Sequence, residues 1–244
     1  MAVDSELYIP DNLDVAHAGG SVCGHTYTNS IEAVRSSIQR GFKRIELDVV
    51  TGRDGFLIAH DGMESSYGVT RFDDVSLENF RSLRVYKRYT PVSFDDLQHV
   101  IEAAQQVDWV FDTKFSSAGI FGEFVDFLNE IRLLQHSQLQ VYTAVEAQMA
   151  RGRGVEKVIF ALWKKFGWDS LGAGAFGEFD AIRELSFHRL DVSLSYRKYS
   201  GSGDNFTDPR FSGFQDGSVK VLFHNFPSEV VPLLKEKGYG LFAA

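Results

Sequence analysis

Cysteine is almost absent from this chain of 244 residues, and Cys23 stands alone. A single thiol cannot build a disulfide framework within the chain, nor a zinc site made from several cysteines. No linker rich in proline, serine or charge divides the sequence, which contains only 5 prolines. We therefore expect one domain spanning residues 1–244 with a core of its own.

Long apolar runs and an excess of positive charge are also lacking. No apolar run approaches the roughly 18 residues of a membrane span, and no signal-peptide pattern precedes Leu13. The formal net charge of −8 argues against a nucleic-acid partner, because such proteins present a basic face. We expect no membrane span and a cytoplasmic protein, or a secreted one if a signal peptide has been removed. The oligomeric state stays open.

Short strand patterns alternate with helical patterns along the whole chain. Strands are predicted over 14–17, 44–50, 109–114, 139–143, 157–162, 191–195, 219–224 and 240–243, with an additional arm at 55–60. Helices are predicted over 29–40, 93–106, 119–134, 144–151, 179–188 and 228–237, and the glycine-rich stretch 172–177 is predicted to be a loop. Eight strands alternating with helices predict an α/β fold, a (β/α)₈ TIM barrel with a small extra β-arm after strand 2.

Two predicted strands place charged side chains two residues apart. Glu46 and Asp48 share one strand face, and Asp112 and Lys114 share another, because successive strand side chains alternate between faces. Carboxylates taken out of water are costly unless they are paired or bind metal, so three of them predict a cation. Carboxylate oxygens suit Mg²⁺ or Ca²⁺ better than zinc. Alternatively, either strand lies at a sheet edge with one solvated face.

Two histidines end predicted strands shortly before a glycine. His17 precedes Ala18-Gly19, and His60 precedes Asp61-Gly62. A side chain at such a point can reach a cleft while the backbone turns away. Imidazole groups titrate near neutral pH, which suits a general acid and a general base. The remaining histidines are interpreted as ordinary surface or core residues: His25, His99, His136, His188 and His224.

Four short motifs follow one another in a specific order. They are His17-Ala18-Gly19, Thr28-Asn29-Ser30, Glu46-Leu47-Asp48 and His60-Asp61. In order and spacing they resemble the N-terminal signature of the glycerophosphodiester phosphodiesterase family. The run Asp112-Thr113-Lys114 resembles the next strand of its superfamily, in which sphingomyelinase D-type phospholipases carry Asp-x-Lys.

The resemblance implies a metal-dependent phosphodiesterase on a TIM barrel. The expected substrate is a glycerophosphodiester or a related small or lipid-derived phosphodiester. The implied cofactor is one divalent cation, Mg²⁺ or Ca²⁺. The implied site consists of Glu46, Asp48 and Asp112 on the metal, Lys114 on the substrate phosphate, and His17 and His60 as acid and base.

One position departs from the family pattern. Ala18 stands where most members carry an arginine that helps to hold the phosphate. Losing a guanidinium removes a bidentate phosphate ligand, so the metal and Lys114 must carry more of the charge, or the substrate differs. Two alternatives stay open: a sphingomyelinase D or lysophospholipase D-type phospholipase, and a weakened barrel that binds a phosphodiester without turning it over.

Two long connections are predicted to gather over the C-terminal face of the barrel, at 63–92 and 196–216. The first is rich in tyrosine and basic residues, namely Tyr67, Arg71, Arg84, Tyr86, Lys87, Arg88 and Tyr89. This composition suits an anionic substrate, or alternatively a solvated lid that contacts nothing.

Overall fold

The computed structural model describes residues 14–115, 117–162, 173–195, 214, 219–224, 226 and 228–243. Its strands are β1 (Val15–Ala16), β2 (Arg44–Thr51), β3 (Phe56–Ile58), β4 (Asp108–Thr113), β5 (Ser137–Val141), β6 (Lys157–Ala161), β7 (Arg189–Ser195), β8 (Lys220–His224) and β9 (Gly240–Ala243). The α-helices of the same residues are α1 (Ile31–Gln39), α2 (Glu64–Tyr67), α3 (Leu77–Ser82), α4 (Phe94–Ala103), α5 (Ala118–Glu130), α6 (Ala144–Gly152), α7 (Ala173–Glu184) and α8 (Val231–Glu236).

The strands close into a parallel barrel. Neighbouring strands pair in parallel in the order β2, β4, β5, β6, β7, β8 and β9. Strand β1 closes the barrel, because it pairs in parallel with both β9 and β2. Strand β3 is antiparallel to the end of β2, with Leu57 opposite Val50, and lies outside the closed barrel. The predicted TIM barrel with its extra arm is confirmed.

Side chains inside the barrel form layers. An apolar layer contains Val15, Val110, Ile159, Leu222 and Phe242. On one side of it, towards the N-terminal ends of the strands, Arg44 and Asp191 form a buried ion pair at 2.8 Å. The carboxylates predicted to bind metal lie on the other side. Catalytic sites of TIM barrels lie at this C-terminal end, so the layering already marks where a site belongs.

Helices α1, α4, α5 and α6 begin within two residues of their predicted starts, α8 begins three residues after its predicted start, and α2 and α3 were not predicted. Helix α4 starts with a capping box, in which Ser93 and Asp96 bond each other's backbone N–H, as the predicted N-cap requires. The predicted start of the helix at 179 is wrong, because α7 already begins at Ala173. Ala175, Phe179 and Ile182 are buried in the core at helical spacing. Burial of this face outweighs the low helix propensity of the glycines.

The long connection 63–92 forms a small packed unit rather than a solvated lid. Its apolar side chains pack against Val50 of β2, Leu57 of β3 and Ala59, which follows β3. Together they form a cluster separate from the main core, to which the connection contributes Tyr67, Phe72, Val75, Phe80, Val85 and Tyr89. The second connection, 196–216, lies outside the described residues except for Phe214. None of the helices described above is both long enough and apolar enough to cross a membrane.

Candidate active site

Strands β2 and β4 bring the three predicted metal ligands together. Leu47 and Val49 pack into the core between the barrel and its helices, so Glu46 and Asp48 point into the barrel, where both are fully buried. Asp112 lies directly opposite Asp48 in the parallel pairing. One carboxylate oxygen from each of the three lies within 4.8 Å of the others. The alternative of solvated edge strands is wrong, because both strands are buried along almost their whole length.

Crowding of these carboxyl groups perturbs their ionisation. Burial raises the pKa of Glu46 well above its usual range, and the neighbouring charges of Asp48 and Asp112 raise it further. Burial also opposes ionisation of Asp48, but Lys114 and His60, with other neighbours, outweigh that effect and lower the pKa of this carboxyl. The cluster is therefore short of positive charge when all three groups ionise.

The oxygen atoms of the cluster fit a divalent cation. Glu46 Oε1 is buried and accepts no hydrogen bond from the described residues. Buried polar atoms in folded proteins nearly always have a partner. Mg²⁺ and Ca²⁺ prefer carboxylate oxygens as ligands. Glu46, Asp48 and Asp112 thus form a buried acidic site that can hold a divalent metal ion.

The turn after β1 supports this cluster through its backbone. Residues His17–Gly19 form a single 3₁₀ turn in which Ala18 has a left-handed conformation, with φ of +49°. The Ala18 N–H donates a 2.6 Å hydrogen bond to Glu46 Oε2. The position at which the resemblance leads us to expect an arginine therefore orients a carboxylate through its main chain, but it contributes no charge to the site.

The two predicted catalytic histidines flank the carboxylates. His17 Nε2 lies 3.9 Å from Glu46 Oε2, and His60 Nε2 lies 4.0 Å from Asp48 Oδ1. The ring of Tyr27 stands edge-on to both imidazoles, with centroid distances of 5.0 Å to His17 and 5.3 Å to His60. One aromatic ring thus packs against both histidines.

The protonation of each histidine is shaped by its surroundings. Burial lowers the pKa of His17 to about 4, against the opposing influence of Asp48, so this imidazole is neutral at neutral pH. His60 Nδ1 lies 2.5 Å from the carbonyl oxygen of Asp61. A carbonyl only accepts hydrogen bonds, so the proton of a neutral His60 is on Nδ1 and its Nε2 faces the carboxylates.

Lys114 supplies positive charge at the mouth of the cluster. Its Nζ lies 2.7 Å from Asp112 Oδ2, 3.3 Å from Asp48 Oδ1 and 3.7 Å from Asp61 Oδ1. Burial works against the ammonium, but Asp112 and Asp48 outweigh it and raise its pKa, so Lys114 remains charged. Within the described wall of the cavity, it is the one lysine or arginine.

A cavity of about 620 Å³ opens over these groups. Of the predicted site residues, His17, His60, Asp112 and Lys114 line it, while Glu46 and Asp48 are buried beside them. The tyrosines and basic residues of 63–92 do not line it; from that segment only Met63 does. The prediction that this segment suits an anionic substrate therefore has no support from the described cavity wall.

Several lining residues were not predicted as site residues. They are Tyr27, Asp61, Gly62, Met63, Gln140, Ser193, Ser195, His224 and Phe242. The interpretation of His224 as an ordinary core residue is wrong, because it lies at the end of β8 with its ring 6.1 Å from that of His17. The signal was present, since His224 ends a strand just as His17 and His60 do. Ser193 and Ser195 likewise occupy alternate positions in an apolar strand.

Tyr142 is a further site residue that no sequence pattern indicated. Its hydroxyl donates a hydrogen bond to Asp112 Oδ1, and burial together with this carboxylate raises the pKa of Tyr142. The bond orients the third carboxylate of the cluster from the residue that directly follows strand β5. Partners of this kind hold metal ligands in position in many proteins.

Comparison with known proteins gives a family match over this same region. The model of the Glycerophosphoryl diester phosphodiesterase family matches residues 18–161. That range contains Glu46, Asp48, His60, Asp112 and Lys114. The sequence matches none of the curated proteins with which it was compared.

Solved structures resemble the chain along nearly its full length. A glycerophosphoryl diester phosphodiesterase from Parabacteroides distasonis has a TM-score of 0.67 at 13% identity, covering 95% of this chain and 82% of that one. One from Agrobacterium tumefaciens has a TM-score of 0.59 at 10% identity, with 95% of each chain covered. The glycerophosphoryl diester phosphodiesterase domain of a Mycobacterium tuberculosis protein has 0.63 at 12%, with 96% of each covered. At these identities the likeness shows the shared fold.

Proposed function

Because the chain belongs to the Glycerophosphoryl diester phosphodiesterase family, and is therefore a phosphoric diester hydrolase, we propose that it hydrolyses a glycerophosphodiester with His17 and His60 as acid and base. One observation carries this proposal. The two imidazoles lie on either side of the carboxylate cluster, within 4.0 Å of it, and both line the same cavity. A phosphodiester held over the cluster would have a titratable group near each side of its phosphorus atom.

The charges of the site suit the phosphate group. We assign Glu46, Asp48 and Asp112 as ligands of one divalent cation, Mg²⁺ or Ca²⁺. When bound, such an ion neutralises phosphate charge and polarises the bonds to phosphorus. Lys114 is assigned to a non-bridging phosphate oxygen, where its ammonium stabilises the charge that accumulates in the transition state.

The histidines move the protons of the reaction. One imidazole takes a proton from the attacking oxygen as that oxygen bonds to phosphorus. The bond from phosphorus to the leaving alcohol breaks, and the other histidine gives that alcohol oxygen a proton. Burial keeps His17 neutral at neutral pH, and a neutral imidazole has the free nitrogen lone pair that a general base needs. The attacking oxygen belongs to water, or to a hydroxyl of the substrate, in which case a cyclic phosphate forms.

Ala18 shapes the substrate requirement of this enzyme. Without a guanidinium at this position, recognition of the phosphate rests on Lys114 and the cation. We therefore expect the cation to matter for substrate binding as well as for turnover. Asp112 matches the Asp-x-Lys motif of the sphingomyelinase D-type phospholipases, so the phospholipase alternative is tested as well.

The test is an assay of metal-loaded protein on a panel of phosphodiesters, followed by phosphorus NMR. The panel contains glycerophosphocholine, glycerophosphoinositol, lysophospholipids and sphingomyelin. We expect the first two to yield glycerol phosphate or its cyclic form, with no product after chelation. Cleavage of only the lysophospholipids or sphingomyelin would establish the phospholipase alternative. Metal-dependent binding without any product would establish the weakened barrel.

A further inference from the structure

One wall of the cavity has no role in the mechanism proposed above. It is formed by side chains from β5, β7, β8 and β9, namely Gln140, Ser193, Ser195, His224 and Phe242. Strands β7 and β8 lie across the barrel from β2 and β4, whereas β5 pairs directly with β4. Apart from Phe242, every member of this wall can both donate and accept hydrogen bonds.

The hydroxyl of Ser193 lacks a partner. Ser193 is 1% exposed, and its Oγ makes no hydrogen bond with any described residue. Val192 and Leu194 pack into the core under the helices, so Ser193 and Ser195 face the barrel interior. A buried hydroxyl without a partner is unfavourable unless a ligand or a water completes it. Valine or alanine at position 193 would avoid the free-energy cost of burying an unpaired hydroxyl.

The wall carries no permanent charge among its described residues. Burial lowers the pKa of His224 well below its usual range, so its imidazole is neutral at neutral pH. Among the described residues of this wall, Phe242 is the one phenyl ring, whereas quaternary ammonium groups are recognised by several Trp, Tyr or Phe rings together. An acyl chain would need a mostly apolar surface. Neutral groups that donate and accept hydrogen bonds match the hydroxyls of an alcohol.

The wall adjoins the proposed reaction centre on both flanks. Gln140 lies directly opposite Asp112 in the pairing of β4 and β5, and the His224 ring is 6.1 Å from that of His17. In the pairing of β7 and β8, Ser193 lies opposite Leu222, two residues before the pair formed by Ser195 and His224. An alcohol group attached to a phosphate over the carboxylates can therefore reach this wall.

We propose that Ser193 and Gln140 bind hydroxyls of one alcohol group of the substrate and make the enzyme selective for a neutral, polyhydroxylated alcohol. This inference rests on the proposed phosphodiesterase function. It assigns a specificity site to residues that take no part in proton transfer or metal binding. An alcohol group that has no further hydroxyls should be rejected, because it leaves the buried polar groups of the wall unpaired.

The test compares two chromogenic diesters that share a 4-nitrophenyl leaving group. One carries glycerol as its second alcohol and the other carries propan-1-ol, which has the same three-carbon chain, so only the hydroxyls differ. We expect metal-loaded native protein to prefer the glycerol ester in kcat/KM. Ser193→Ala and Gln140→Leu should each reduce that preference about fivefold, which is the loss expected for one neutral hydrogen bond. The matched control Ser82→Ala, at an exposed serine of α3, should keep the native preference.

The outcomes separate the inference from the function on which it rests. An unchanged preference in both variants, or no preference in native protein that cleaves both esters, overturns the inference alone. If native protein cleaves neither ester in Mg²⁺ or Ca²⁺, the proposed function fails. Thermal unfolding adds a readout independent of activity. Ser193→Ala should keep or raise the Tm, because it removes an unpaired buried hydroxyl, and a markedly lower Tm would assign Ser193 a structural role instead.

Discussion

Asn29 holds Asp48 with both ends of its side-chain amide. Asn29 Nδ2 donates to Asp48 Oδ2 at 2.9 Å, and Asn29 Oδ1 accepts from the backbone N–H of Asp48 at 3.1 Å. Asn29 is fully buried, and its φ of +45° is a conformation that asparagine adopts more readily than most residues. The loop after β1 thus fixes the orientation of one carboxylate in the central cluster.

The Asn29→Asp variant should therefore bind metal poorly. Aspartate keeps the size and tolerates the backbone conformation, but it replaces the donor to Asp48 with an acceptor that carries like charge. Loss of such a supporting partner costs about 10–100-fold in metal affinity. Isothermal titration of metal-free protein with Mg²⁺ and Ca²⁺ measures this directly. Asn129→Asp, at an exposed site on α5, is the control, and equal affinities for the two variants would refute a supporting role for Asn29.

Metal should also stabilise the folded protein. Repulsion within the cluster raises the pKa of Glu46, and a cation that binds only the folded state relieves it. Mass action predicts about 2.7 kcal/mol at a concentration of 100 times Kd. Asp48→Asn should lose most of the metal-dependent rise in Tm, whereas the exposed control Asp180→Asn should retain it. A full rise in Asp48→Asn would remove this residue from the proposed coordination.

The histidines should act as a pair. His17→Ala and His60→Ala should each lower kcat/KM about 10²–10⁴-fold, because each loses one proton transfer. The double variant should be much less impaired than the product of the two losses, since the groups work in one relay. Metal-dependent substrate binding should survive in both single variants. His99→Ala, at an exposed position on α4, controls for the substitution itself. Native turnover in either single variant contradicts the mechanism.

Burial of His17 should make the metal-free protein less stable as the pH is lowered, whereas Glu46, whose pKa the fold raises, acts in the opposite direction. Burial lowers the pKa of His17 from 6.5 to about 4, so between these values the unfolded chain binds more protons than the folded one. The contribution of His17 is complete above 6.5 and is lost as the pH falls towards 4. His17→Asn should reduce the slope of the unfolding free energy by up to about 1.4 kcal/mol per pH unit.

Urea unfolding in chelator across that interval measures the slope. The exposed control His99→Asn should leave it close to native. If His17→Asn also leaves the slope unchanged, the imidazole of His17 is not held neutral by the fold. Protonation of other buried groups, His224 among them, accounts for the slope that persists in both variants.

Local patterns in the sequence were sufficient for the barrel and for part of the site. The two-residue spacing of Glu46 and Asp48 places both on the buried face of β2, and the same spacing places Asp112 and Lys114 on β4. The predicted strands agree with the observed ones within two residues at each end. These predictions succeed because alternation along a strand is a local property of the backbone, which neighbouring residues alone determine.

The rest of the site was decided by tertiary structure. Ser193 and His224 come from strands far from β2 and β4 in sequence, and closure of the barrel places them in the same cavity as the carboxylates, which Gln140 reaches through the pairing of β4 with β5. The same holds for α7. Its glycines predict a loop, but burial of Phe179 in the core stabilises a helix there. Strand pairing and burial act between residues distant along the chain. The sequence alone therefore determined which groups can do chemistry, whereas the fold decided which of them share a cavity.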